Sequence, residues 1–262
     1  MSKEQGSRTK EEIGAGRPIS LFDVDGTLTK GFAILSFAEY LDAQGKFTKG
    51  AWPKMNADYK KYLENKTKKG AYHSFAVDVV NNYGLGLVGQ KAEEIQTVAE
   101  TYLDQVRAGE IEGYFFLPFA EELLVMMNAI GPTYAITGSP VEVLAPLKKH
   151  IGMGTVKGTQ LTVVDGVYTG EIAVNLALRE NKSATVASIA KGMNVDFARS
   201  FAFGDSISDA PLLEVVRNPF VLGSNEELQA YGRERNWHVI QDPNDVIPAV
   251  RRQIAKVFKD RK

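Results

Sequence analysis

Asp23 and Asp25 stand two residues apart, directly behind the short apolar run of Ile19, Leu21 and Phe22. Thr137 and Ser139 close a second such stretch, and Asp205 and Asp209 follow a third. Lys182 falls between the second and third groups. Carboxylates gathered in one crevice repel. At about 4 Å and an effective dielectric of ~20, each like-charge pair costs roughly 4 kcal/mol. A cation among them removes that cost. No His or Cys lies in these turns, so every ligand would be an oxygen. Such a set favours Mg²⁺ over zinc or copper, and Mg²⁺ held this way usually meets a substrate phosphate. Lys182 adds a positive charge and Thr137 a hydroxyl. The N–H groups of Gly138 and Ser139 can donate to phosphoryl oxygens at the start of the following helix. Phosphoryl transfer is mostly positioning and charge stabilisation, which these groups can supply.

The groups act together only if the elements before them bring the turns to one place. Short apolar runs are expected as strands over 18–23, 132–137, 200–203, 220–222 and 237–240. A hairpin is expected over 160–172, turning at Asp165-Gly166. Helical patterns fill 119–129, 141–151, 179–192, 209–216 and 226–235, and another begins at Asp245. Strands alternating with helices predict an α/β fold with a doubly wound parallel sheet, whose ligand crevice lies at the carboxyl ends of the strands. Residues 31–117 read differently. Apolar residues recur there at helical spacing between glycine clusters, predicting an inserted all-helical domain of about four helices and no strand. The core is then 18–30 with 118–262, behind a polar leader over 1–17.

Composition narrows the classes. The chain of 262 residues has no cysteine, 31 Lys plus Arg, 32 Asp plus Glu, and a net charge of −1. Disulfide frameworks, thiolate metal sites and cysteine nucleophiles are excluded. Balanced charge argues against a nucleic-acid partner. No run of about 18 apolar residues suggests a membrane span, and a cytoplasmic location is expected. Two local rivals fail. Asp23-Val-Asp-Gly is not a calcium loop, because Gly is fourth rather than sixth and the twelfth place is Ile34. Gly84-Leu-Gly-Leu-Val-Gly89 matches a dinucleotide fingerprint by letters but follows a helical pattern, so it is read as a helix–helix turn.

Four segments in order carry a family resemblance. Asp23-Val-Asp-Gly-Thr-Leu-Thr29, Ala135-Ile-Thr-Gly-Ser139, Lys182 and Gly204-Asp-Ser-Ile-Ser-Asp209 resemble the four motifs of the haloacid dehalogenase superfamily. The insert after the first motif resembles the helical C1 cap. Val163 to Glu171 resembles the phosphoserine-phosphatase-like subgroup. The resemblance implies a phosphatase in which Asp23 is the nucleophile, forming an aspartyl phosphate. Asp25 would be general acid and then base. Thr137 would bond the phosphoryl group, and Lys182 would offset charge. Mg²⁺ would be held by Asp23, the Asp25 carbonyl and Asp205, with Asp209 in support.

The expected substrate is a small phosphorylated metabolite. Phosphoserine phosphatases usually carry a Glu shortly after the first motif, where this chain has Phe32. A Phe cannot pair an ammonium as a carboxylate does, so a larger or less charged phosphomonoester is expected. Phe32, Phe37, Trp52, Tyr59 and Tyr62 are candidate pocket residues, although their helical spacing favours a place in the core. Two other readings use the same motifs. A phosphotransferase or mutase would pass the phosphoryl group to a second alcohol. A phospho-accepting switch would retain it, but the long insertion and the base Asp25 oppose that.

Overall fold

A computed structural model of the chain describes residues 16–66, 68, 70–112, 115–144, 148 and 152–259. Most of the expected leader lies outside the described residues, as does much of the helix expected over 141–151, of which 141–144 is helical.

The central sheet has seven strands: β1 (Ser20–Phe22), β4 (Thr133–Pro140), β5 (Thr155–Val164), β6 (Val167–Val174), β7 (Phe201–Gly204), β8 (Asn218–Leu222) and β9 (His238–Ile240). Their order is β6-β5-β4-β1-β7-β8-β9. Every neighbouring pair is parallel except β5 with β6. This is the doubly wound arrangement. From β1 the chain moves outward through β4 and β5, then returns to place β7 on the other side of β1. The β1/β7 boundary is therefore the switch point, where a crevice opens. The expected hairpin is an extension of this sheet, because β5 also pairs with β4.

Period-two alternation explains why both faces are covered. Ile19, Leu21, Ile136, Ala202 and Val221 belong to one core; Phe22, Ala135, Phe203, Phe220 and Leu222 belong to the other. On the second face Phe22 stacks on Phe203 at 4.8 Å and Phe203 on Phe220 at 5.2 Å, so aromatic pairs run across β1, β7 and β8.

The insert contains α1 (Ala33–Ala43), α2 (Ala51–Asn65), α3 (Ala71–Leu87) and α4 (Ala92–Ala108). It also holds a strand that its sequence did not suggest. β3 (Phe115–Phe116) pairs antiparallel with β2 (Thr29–Lys30), tying the entry and exit of the insert together. Two-residue strands are too short for a period to register. The Gly84–Gly89 segment corrects the expected turn. Gly84 and Gly86 lie inside α3, and a Cβ on Gly84 would stand 2.6 Å from the Gly170 carbonyl oxygen. Gly84 permits close helix packing on the β5–β6 hairpin, and Gly86 makes room for the Phe47 ring. The helix ends at Leu87, and Gly89 donates its N–H to the Tyr168 carbonyl at 3.0 Å. Of the remaining helices, α5 (Ala120–Ile130), α6 (Arg179–Gly192), α7 (Ala210–Glu214) and α8 (Glu226–Glu234) connect strands, and α9 (Pro243–Val257) follows the last one. No described helix is long and apolar enough to cross a membrane.

Candidate active site

Asp23 leaves the end of β1, and Asp205 leaves the end of β7, its immediate neighbour. Parallel pairing brings these two carboxylates together without any contribution from the loops. Asp209 arrives by a short 3₁₀ turn, Ile207–Asp209, that folds back toward β7. One carboxylate oxygen from each of Asp23, Asp205 and Asp209 lies within 4.8 Å of the others.

Lys182, on the first turn of α6, enters this cluster from behind. Its Nζ donates to Asp23 Oδ1 at 2.7 Å and to Asp209 Oδ1 at 2.5 Å. It is only 1 % exposed. Burial acts to lower its pKa, but Asp209 and Asp23 outweigh that and raise it, so Lys182 stays charged. Asp209 is fully occupied. Its Oδ2 accepts from the N–H of Asp205 at 3.1 Å, the N–H of Ser206 at 2.9 Å and the Ser206 hydroxyl at 3.0 Å. Asp205 is the more available acid. It accepts from the Thr27 hydroxyl at 3.2 Å and lines the cavity described below. Gly26, at φ +85°, makes room for it: a Cβ there would sit 2.1 Å from Asp205 Oδ2.

Three carboxylates and one ammonium carry a formal net charge of −2. Burial and the neighbouring acids push both Asp23 and Asp205 well above the usual carboxylate range. A cluster of this kind holds protons or a divalent cation. Its ligands are all oxygen and the Gly26 cradle keeps Asp205 clear, so the residues present fit Mg²⁺.

Asp25 stands apart from the cluster. Its Oδ2 accepts from the Ser139 hydroxyl at 2.6 Å and its Oδ1 from the Ala33 N–H at 3.3 Å, at the start of α1. The described acid cluster therefore does not include the Asp25 carboxylate. Burial pushes the Asp25 carboxyl up to about 6, against the lowering influence of the Ser139 and Ala33 hydrogen bonds.

The expected phosphate contacts are partly redistributed. β4 does not stop at Thr137 but runs to Pro140. Within it, the Ser139 N–H donates to Thr137 Oγ1 at 3.2 Å, so it is turned inward. Ser139, read from sequence as a backbone donor, instead gives its hydroxyl to Asp25. Thr137, Ser139 and Lys182 are buried behind the cavity, while Gly138 forms part of its wall. Phe32 also lines it and packs edge-on against Phe75 at 5.7 Å. Tyr62 is a second wall residue. Phe37 is fully buried in the core, and neither Trp52 nor Tyr59 lines the cavity.

Sequence reasoning did not single out Thr27, Tyr72 or the hydroxyl of Ser139, whereas Ser206, read as a turn or capping group, caps the 3₁₀ turn at Ile207–Asp209. Thr27 lies inside a recognised motif, so its position was a signal. Tyr72 carried no local signal, because helical spacing does not reveal which face of α3 meets the acids.

The model of the haloacid dehalogenase-like hydrolase family matches residues 20–214. Phosphoserine phosphatase SerB1 of Mycobacterium tuberculosis is 25 % identical over 229 residues, covering 84 % of this chain and 69 % of that protein. A histidinol-phosphatase of Neisseria meningitidis is 22 % identical over 228 residues, covering 85 % and 97 %. Among solved structures, a protein with unknown function from Bordetella pertussis superposes with a TM-score of 0.65 at 23 % identity, covering 87 % of this chain and 99 % of that one. That likeness speaks for the fold.

Proposed function

The chain belongs to the haloacid dehalogenase-like hydrolases, and from that premise we propose that it is a Mg²⁺-dependent phosphatase acting on a small phosphomonoester through Asp23. The observation that carries the reading is the separation of the two aspartates that lie two residues apart. Asp23 is held with Lys182 among the acids, which favours an ionised nucleophile once a cation is present. Asp25 is held away on Ser139 and the start of α1, with its carboxyl near 6, so it can carry a proton. Environments that differ in this way assign acid and nucleophile roles to two like groups.

In the first step an Asp23 carboxylate oxygen bonds to phosphorus. The bond from phosphorus to the ester oxygen breaks, and the leaving oxygen takes its proton from Asp25. In the second step a water oxygen bonds to phosphorus and gives a proton to the Asp25 carboxylate. The bond between the Asp23 oxygen and phosphorus breaks, inorganic phosphate leaves, and both aspartates return to their starting states. Lys182 offsets charge on Asp23 throughout, and the Thr137 hydroxyl and Gly138 N–H are suited to phosphoryl oxygens. Asp23, Asp205 and the Asp25 carbonyl would hold Mg²⁺, with Asp209 fixing Lys182 and the Asp205 backbone. When bound, the ion supplies positive charge against the phosphoryl oxygens.

The domain reading is part of this proposal: 31–117 acts as a cap over a core formed by 18–30 and 118–262. The relatives named for phosphoserine and histidinol phosphate show that the alcohol varies among similar proteins. Phosphate release from an aryl phosphate, with and without Mg²⁺, tests the reading. Asp23→Asn is expected to abolish release, and hydroxylamine is expected to trap an acyl phosphate only on the unaltered protein. Unchanged turnover in Asp23→Asn would remove the nucleophile. Phosphate appearing on an added alcohol in place of free phosphate would turn the assignment to a transferase.

A further inference from the structure

We propose that the group esterified to the phosphate is uncharged and apolar, an aromatic or branched alkyl alcohol, and that Tyr62, Tyr72 and Phe75 form the wall it rests against. The proposal builds on the phosphatase reading above. It arises from how charge is distributed around one small cavity of about 90 Å³.

The floor of the cavity is acidic, with Asp23, Asp25 and Asp205, and the opposite wall comes from the inserted helices. That wall is Phe32, Ile34 and the α3 residues Tyr72, Phe75, Ala76 and Val79, joined by Tyr62 from α2. Among the described lining residues there is no Lys or Arg. Lys182 is buried behind Asp23 and donates to Asp23 and Asp209. A substrate carboxylate here would face three acids with no partner, and burying an unpaired charge is strongly unfavourable.

Cations do exist close by, but on the wrong side. Tyr62 and Phe75 stack at 4.7 Å with 14° between their planes. Beyond them lies a second, more open hollow of about 370 Å³ that also touches both residues. Lys61 and Lys68 line that outer hollow together with Asp58 and Asp78. The stacked pair therefore keeps the charged residues away from the inner cavity.

An ammonium on the substrate fares no better. The Asp25 carboxylate is already held by Ser139 and Ala33, and the other two floor acids belong to the cation cluster. A quaternary ammonium could in principle use aromatic faces. The rings are instead packed on one another: Phe75 contacts Phe32, Tyr59, Tyr62 and Tyr72, at centroid distances of 5.7, 5.8, 4.7 and 6.5 Å. They form a solid wall rather than an open cage.

The test compares kcat/KM for benzyl phosphate, phosphoserine and phosphocholine on the unaltered full chain with Mg²⁺. Benzyl phosphate is expected to exceed phosphoserine by at least about 100-fold, because only the amino acid brings unpaired charge to the wall. Phosphoserine or phosphocholine turned over as fast as benzyl phosphate would overturn the proposal, while Asp23-dependent release would leave the phosphatase reading standing. No release from any of the three would overturn both. One variant reads the wall directly. Tyr72→Arg places a cation in it, and the phosphoserine-to-benzyl ratio of kcat/KM is expected to rise about 10-fold. Being a ratio, it does not depend on the fraction of folded protein. An unchanged ratio in folded Tyr72→Arg would remove Tyr72 from the wall.

Discussion

Ser139→Ala should move the pH profile upward and make the enzyme faster in alkali. The Ser139 hydroxyl donates to Asp25 Oδ2 at 2.6 Å, a short bond that is charge-assisted when Asp25 is ionised. Bonds to charged groups contribute about 1.5–3 kcal/mol, and about 1.4 kcal/mol corresponds to one pH unit. A hydrogen bond given to a carboxylate favours the ionised form, so its removal raises the carboxyl. Starting from about 6, the limb that reports Asp25 should move up by roughly 1–2 pH units. Above that limb the protonated fraction of Asp25 then rises by about 10–100-fold, partly offset because a weaker acid transfers its proton less readily. For benzyl phosphate, whose leaving oxygen needs a proton, kcat/KM near pH 8 should exceed that of the unaltered enzyme by about 3–10-fold. With 4-nitrophenyl phosphate, a good leaving group, the gain should be much smaller. The substrate's own titration is common to both enzymes and cancels. The assay is initial-rate phosphate release from pH 5 to 9 at saturating Mg²⁺. A limb that does not move, or one that moves equally for both leaving groups, would refute the assignment of Asp25 as the acid.

Three further outcomes follow from the acid cluster. Mg²⁺ should raise the melting temperature more at pH 8 than at pH 5, because Asp23 and Asp205 sit above the usual carboxylate range and protons compete with the ion; an equal rise in Asp205→Asn would exclude that residue as a ligand. Lys182→Met leaves Asp23 and Asp209 buried without their shared cation, and urea unfolding without Mg²⁺ should show a loss of about 3–5 kcal/mol at pH 7. A native carboxyl with a raised pKa binds protons that the unfolded chain does not, so that loss should shrink as the pH falls toward 5; a loss constant with pH would contradict it. Gly26→Ala puts a Cβ against Asp205 in a left-handed backbone position, and the Mg²⁺ concentration for half-maximal activity should rise by about 10–100-fold, measured by metal titration.

The α/β class of the core followed from short apolar runs that alternate with helical patterns and end in polar turns, and Asp23, Asp205, Asp209 and Lys182 gather at those strand ends. Such features are local: a buried strand writes its burial into four or five consecutive residues, and the turn behind it into the next two. The Ser139 hydroxyl was not legible, because its partner Asp25 is 114 residues away. The same holds for Gly84, which looked like a turn until its approach to Gly170 gave it a packing role inside α3. β2 and β3 escaped notice because two residues carry no period.

By itself, then, the sequence determined which strands end in acids and that the acids outnumber the nearby cations, since charge and apolar period are properties of residue type. Only the tertiary structure decided which carboxylate each neighbour serves. Asp23 and Asp25 are near-identical in sequence context and both leave the end of β1. They diverge because one meets Lys182 from α6 and the other meets Ser139 from β4 and the first N–H of α1. The wall opposite them is likewise a tertiary fact. Helical spacing marks Tyr62 and Phe75 as apolar positions, but only the packing of α2 on α3 turns them, with Tyr72, toward the acids and leaves Lys61 and Lys68 outside.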